Sequence, residues 1–232
     1  MINKIVSSTA EALAGVPDGA TVMIGGFGPA GQPMELIDAL IEQGAKDLVV
    51  INNNAGNGTF GLAALLATGR VRKVVCSFPR QADSQVFDGL YLAGKIELEL
   101  VPQGNLAERI RAAGAGIGAF FTPTAYGTPL AEGKETREID GRHYVLEYPL
   151  HADYALIRAE LAYRGVNLTY RKMARNFGPI MASAARCTIV QAHAVVALGA
   201  LDPEAIVTPG IFVKRVVEVA STVPLMAPGA AA

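Results

Sequence analysis

Short apolar runs alternate with stretches of helical spacing along the first half of this chain. Thr21 to Ile24 is an apolar and β-branched run that reads as a buried strand. Behind it, MELIDALIEQ (34–43) places Leu36, Ile37, Leu40 and Ile41 on one helical face, and Gly44 supplies a stop. The alternation continues. It predicts strands at Asp47 to Ile51, Val71 to Cys76 and Ile96 to Val101, and helices at Gly61 to Thr68, Ser84 to Ala93 and Leu106 to Ala113. A first amphipathic helix is predicted over residues 5–15, and Asn105 with Glu108 three residues on has capping-box spacing. Strands and helices joined by short connections predict an α/β fold: an open, mostly parallel sheet flanked by helices.

The second half is patterned differently. Residues 114–135 are rich in glycine and lack periodicity, which predicts a long loop. TREID and RHYVLEY flank Asp140-Gly141, a strong hairpin signal. Further strands are predicted at Asp153 to Arg158, Asn167 to Tyr170, Cys187 to Gln191 and Ile211 to Val219, with a short helix from Pro179 to Ala185. No repeat or linker divides the chain. Residues 1–220 are expected to form a single domain, and 221–232 (STVPLMAPGAAA) a disordered tail.

The chemistry gathers in the loops that follow the strands. DGATVMIGGFGPAGQP (18–33) gives strand, glycine loop, then helix N-terminus, with Pro33 placed in the first helical turn. Gly25, Gly26, Gly28, Ala30 and Gly31 carry little bulk, so the loop can offer backbone N–H groups and a helix dipole to an anion. Parallel sheets bind ligands at the carboxyl ends of their strands. Here those ends carry GGFGPAGQP, NNNAGNG, SFPRQ and PQGN, which predicts one shared site. Residues 26–31 satisfy GxGxxG, but a dinucleotide site also wants an acid after the second strand, and Asn52 to Asn54 stand there. A P-loop and a G-x-S-x-G elbow are absent. His143, His151 and His193 are scattered. Asn52, Asn53 and Gln103 suit either orientation of a carboxylate or carbonyl, or turns that tolerate unusual backbone angles. RKMARNF (171–177) concentrates Arg171, Lys172 and Arg175, as a solvated face or as a clamp for an anionic ligand.

Composition narrows this further. The chain has 232 residues, 51% apolar, and a net charge of −1 without any Lys/Arg block, so nucleic acid has no electrostatic footprint on it. Cys76 and Cys187 lie apart in apolar runs, as buried thiols of a reducing compartment do, and no Cys or His spacing suits a metal. No secretory pattern or run of 18 apolar residues is present, so a soluble, cytoplasmic protein without membrane contact is expected. The residues alone thus predict a polar, mostly uncharged, anion-ready pocket without a nucleophile.

The DGATVMIGGFGPAGQP stretch resembles the signature of the A-type chain of the class I (3-oxoacid) CoA-transferases. The resemblance continues through the NNAGNG loop, SFPRQADSQVFD, ELVPQGNLAERIRAAGAGIGAFFTPT, EGKETREIDG and RKMARNFGPIMA, over about residues 3–218. SFPRQADSQVFD, EGKETREIDG and LEYPLHADYALI are most similar to the 3-oxoadipate branch, which serves aromatic catabolism by the β-ketoadipate route; the acetoacetate and acetate branches remain alternatives. The resemblance implies ping-pong transfer of CoA from succinyl-CoA to a 3-oxoacid through a glutamyl-CoA thioester. In the family that glutamate belongs to a separate partner, the B-type chain, so Glu35, Glu108, Glu132 and Glu147 are not assigned its role. The resemblance also implies an A2B2 heterotetramer, CoA as substrate with no separate cofactor, and CoA binding by Gly25, Gly26, Phe27, Gly28, Pro29, Ala30 and Gly31. It places Asn52, Asn53 and Gln103 near the substrate carboxylate or oxyanion. Three positions depart from the family pattern: Ala125 replaces a glycine, Asn52 replaces a common serine, and Tyr163 to Asn167 differs locally. The rival readings are a non-catalytic binding module of the same fold and an NAD(P)-dependent enzyme.

Overall fold

The computed structural model describes residues 3–163 and 165–219; the tail expected at 221–232 lies outside them. In chain order the elements are β1 (Ile5–Val6), α1 (Thr9–Leu13), β2 (Thr21–Ile24), α2 (Met34–Gln43), β3 (Leu48–Ile51), α3 (Leu62–Ala67), β4 (Val71–Cys76), α4 (Gln85–Leu92), β5 (Glu97–Leu100) and α5 (Gln103–Ala115). There follow β6 (Phe120–Thr122), β7 (Thr136–Ile139), β8 (Arg142–Glu147), β9 (Ala152–Tyr163), β10 (Leu168–Thr169), α6 (Gly178–Ala184), β11 (Ala185–Val196) and β12 (Val213–Glu218).

The main sheet runs β1-β12-β11-β9-β2-β3-β4-β5, every neighbour pair parallel, with β10 added antiparallel to β9. Side chains alternate across it as a buried sheet requires. Val22 and Ile24 pack on one face with α1 to α4, whereas Met23 packs on the other with α5 and α6. From β2 the chain moves outward to β5, then returns and lays β9 along the opposite side of β2. The connections after β2 and β9 therefore diverge, which opens a crevice at their carboxyl ends.

Sequence and structure part company in several places. The helix predicted over 5–15 is a two-residue strand followed by a five-residue helix. Ile5 and Val6 pair with Val216 and Val217, a partner no local pattern reveals. The expected loop 114–135 holds β6 and a 3-10 turn at Pro129–Ala131. β6 joins the hairpin of β7 and β8 in a small antiparallel sheet. Its turn, Asp140 and Gly141, has φ of 50° and 73°, the left-handed pair that a two-residue hairpin needs. Ala125 likewise sits at φ 73°, a left-handed conformation that favours glycine over alanine.

The capping box is absent. α5 starts at Gln103, and Asn105 lies inside its first turn, buried. The Asn105 Nδ2 group donates to Glu147 Oε1 at 3.1 Å. Glu147, 2% exposed, also accepts from Lys134 Nζ at 2.7 Å and lies 3.8 Å from Arg109 Nε. This buried carboxylate ties the small sheet to α5. Glu147→Ala strands the Asn105 amide and the Lys134 ammonium, and is expected to lower unfolding free energy by roughly 3 kcal/mol. Glu147→Gln retains an acceptor for Asn105 and should lose less. Urea unfolding checks both, and an alanine variant as stable as the parent would remove the carboxylate from this role.

Candidate active site

The four loops predicted from the strand ends do converge. They enclose a pocket of about 640 Å³ lined by Phe27 and Gly28 after β2, Asn53 after β3, Ser77, Phe78, Arg80, Gln81 and Ala82 after β4, and Gln103 at the start of α5. Two of the loops are tied directly, with Gly58 N donating to Asp83 O at 2.8 Å and Asp83 N to Asn57 Oδ1 at 3.1 Å.

The three asparagines divide their work. Asn52 is fully buried; its Nδ2 donates to Ile24 O at 2.6 Å, and its Oδ1 accepts from Asn54 N at 2.8 Å. Its amide thus joins the ends of β2 and β3 and does not line the pocket. Asn54 repeats the turn one step on, its Oδ1 accepting from Gly56 N at 2.8 Å. Asn53 does line the pocket. Its carbonyl accepts from Ser77 N and Phe78 N at 3.2 and 3.0 Å, and its Oδ1 from Ser77 Oγ at 3.0 Å. That leaves the Asn53 Nδ2 donor without a partner among the described residues.

The glycine loop is tighter than its sequence suggests. Phe27 N donates to Ala30 O at 3.0 Å and Ala30 N to Phe27 O at 3.2 Å, which closes a turn over Gly28 and Pro29. Gly26 has φ +125°, and a Cβ there would stand 2.6 Å from Gln32 Cγ. Of the seven loop residues, Phe27 and Gly28 reach the pocket; Gly25, Gly26, Pro29, Ala30 and Gly31 do not line it.

The helix end at the pocket is that of α5, not α2. Pro33 is the N-cap of α2 rather than a residue of its first turn, and the Glu35 carboxylate in that turn already faces the positive end of the dipole. Gln191 Nε2 donates to Glu35 Oε2. At α5 the first intrahelical bond runs from Leu106 N to Pro102 O, so the N–H groups of Gln103, Gly104 and Asn105 precede the ladder. Gly104 faces open space, and Gln103 is exposed with no side-chain partner among the described residues.

No carboxylate, histidine or cysteine lines this pocket. Burial pushes the Cys76 thiol up to about 12, so it stays protonated at neutral pH. Glu108 pairs with Arg111 at 2.6 Å, and Glu147 is held as described. Ser77, Phe78, Arg80 and Gln81 belong to the SFPRQ loop expected at the shared site, although the sequence singles out none of them individually as a site residue. Arg80 is drawn to Asp88 at 3.0 Å. Among the described residues no cluster of His, Cys, Asp and Glu could hold a metal, and no helix is long and apolar enough to cross a membrane. The site can therefore orient and polarise a carbonyl or carboxylate with fixed donors, while the Ser77 hydroxyl is turned to Asn53 and no histidine or carboxylate lines the pocket to activate it.

The chain is similar to the A-type chain of 3-oxoadipate CoA-transferase from Pseudomonas putida, at 72% identity over 94% of this chain and 95% of that one. It is 64% identical to the protein of the same description from Acinetobacter baylyi, over 98% of this chain and 100% of the other. Its fold matches that of an acyl-CoA transferase from Escherichia coli O157:H7 with a TM-score of 0.81 at 23% identity. That match covers 94% of this chain and 47% of the other, so this chain spans about half of that longer one. A family model described as Coenzyme A transferase matches residues 6–219, and the chain belongs to that family.

Proposed function

We propose that this chain is the A-type component of a two-chain enzyme that moves CoA from succinyl-CoA to 3-oxoadipate. The observation that carries the reading is a pocket furnished with hydrogen-bond donors and lined by no carboxylate, histidine or cysteine. A transferase working through a carboxylate then needs its glutamate from elsewhere, and both near relatives are described as one subunit of an enzyme. The glutamate of a B-type partner attacks the succinyl-CoA carbonyl, forms a mixed anhydride and releases CoA thiolate. The thiolate attacks the anhydride, freeing succinate and leaving a glutamyl-CoA thioester. The 3-oxoacid carboxylate then repeats both steps in reverse, and atoms and charge balance without a metal or redox cofactor.

In this scheme Gln103, the Asn53 Nδ2 group and the free N–H groups of α5 meet the oxyanion that develops at each attack. Asn52 acts one step back, holding the strand ends that aim Asn53. The glycine loop takes the CoA moiety, its small residues letting the ligand approach the backbone. The assembly is an A2B2 heterotetramer in the cytoplasm.

Gln103→Ala should lower kcat on the order of a hundredfold in the two-chain enzyme. Its melting temperature should hold, because the side chain is exposed and unpartnered among the described residues. Unchanged turnover would release Gln103 from the oxyanion role.

Affinity capture from the native host, read by intact mass, tests the assembly. A second chain is expected in equal amount, with thioester formation from succinyl-CoA in the pair and in neither chain alone. Recovery of this chain by itself, without CoA exchange, would favour a binding module. Parallel assays with 3-oxoadipate and acetoacetate separate the branches, and faster transfer to acetoacetate would move the enzyme to the other one.

A further inference from the structure

The pocket does not use the RKMARNF segment. Its centre, Lys172–Arg175, is a 3-10 turn that follows β9 and β10. It is fixed to the glycine loop, with Asn176 Nδ2 donating to Ala30 O at 2.9 Å and to Met173 O at 2.7 Å. A Cβ on Gly31 would stand 2.8 Å from Ala174 O, so the two backbones meet with no side chain between them. The turn therefore stands across the β2/β9 junction, where the connections diverge and open parallel sheets accept nucleotides.

Its charge is unbalanced. Arg171, Lys172 and Arg175 have no ion-pair partner among the described residues, and Arg171 and Lys172 are exposed. Lys73, Arg80, Arg109 and Lys134, by contrast, each pair with a carboxylate. The chain carries no acidic residue between Glu160 and Asp202. Glu35, near the same loop, is engaged by Gln191. Between the cations, Met173 is 67% exposed. Three unpaired cations around a bare thioether suit a ligand that joins phosphates to a flat apolar ring.

We propose that this turn binds the 3′-phosphorylated adenine nucleotide end of CoA. Arg171, Lys172 and Arg175 meet its phosphates, and Met173 packs against the adenine. Phe27 and Gly28 of the glycine loop face the pocket, and Ala30 and Gly31 face the turn, so one ligand laid over the loop reaches both. The proposal rests on the transferase reading above.

The test uses the assembled two-chain enzyme and the Arg171→Gln/Arg175→Gln variant. KM for succinyl-CoA should rise on the order of tenfold or more, with kcat retained. KM for succinyl-pantetheine, which lacks the nucleotide, should not move. Adenosine 3′,5′-bisphosphate should compete with succinyl-CoA on the parent and much less on the variant. Lys172→Glu, at an exposed position, reads the same contrast if the double variant folds poorly. An unchanged KM, or equal losses on both thioesters, overturns the proposal. So does failure of the variant to capture the second chain, which would make the turn an interface between the two chains. A parent pair without transferase activity would defeat the transferase reading instead. Calorimetric titration of adenosine 3′,5′-bisphosphate into parent and variant would still decide the nucleotide site.

Discussion

Three consecutive asparagines, Asn52, Asn53 and Asn54, are all nearly or fully buried where β3 ends. A parallel ladder stops there, and the last carbonyls of β2 and β3 need donors or a heavy desolvation cost follows. Asn52 meets that need for Ile24, and Asn53 offers its own carbonyl to Ser77 and Phe78. These bonds bring the loops after β2, β3 and β4 to a common level. Without them the three loops would lose the bonds that set the pocket's common rim. An amide is the side chain for this task because it donates and accepts without carrying a charge that burial would penalise.

Much of this is legible in the chain. β4 reads with its bounds intact, since the β-branched Val71, Val74 and Val75 lie between Gly69 on one side and the SFPRQ turn on the other. The Asp140-Gly141 hairpin follows from turn chemistry alone. That the four loops meet also follows from the alternation, because parallel strands place all their carboxyl ends on one side. What escapes a sequence reading has non-local causes. β9 and β11 each run to 12 residues, about twice the length their apolar cores suggest, because they pair with each other along most of that length. Asn105 looks like a cap because its spacing fits one, yet Glu147 lies 42 residues away and claims its amide.

The site is legible in kind and less so in detail. Asn52 and Asn53 are neighbours with the same side chain, and nothing in their order separates them. Adjacent residues at a strand end point in opposite directions, so one amide turns in to Ile24 and the other lines the pocket. The same limit applies to the helix dipoles. Both α2 and α5 follow strand ends, but Glu35 sits in the first turn of α2, whereas the first turn of α5 has no acid. The position of one carboxylate thus decides which helix end is available to an anion.

The pocket's walls bear on how a split enzyme would work. Phe27 and Phe78 stand at its edge 43% and 59% exposed, so apolar surface faces solvent where the reaction would occur. A mixed anhydride in contact with bulk water would be open to hydrolysis in competition with transfer. A second chain that brings the glutamate would also cover these rings, so one docking event would supply the nucleophile and exclude water together. That coupling gives a physical reason for this chain to hold donors and no nucleophile. Fixed donors cost nothing while the site is open, whereas a carboxylate in an unclosed pocket would meet water as readily as substrate.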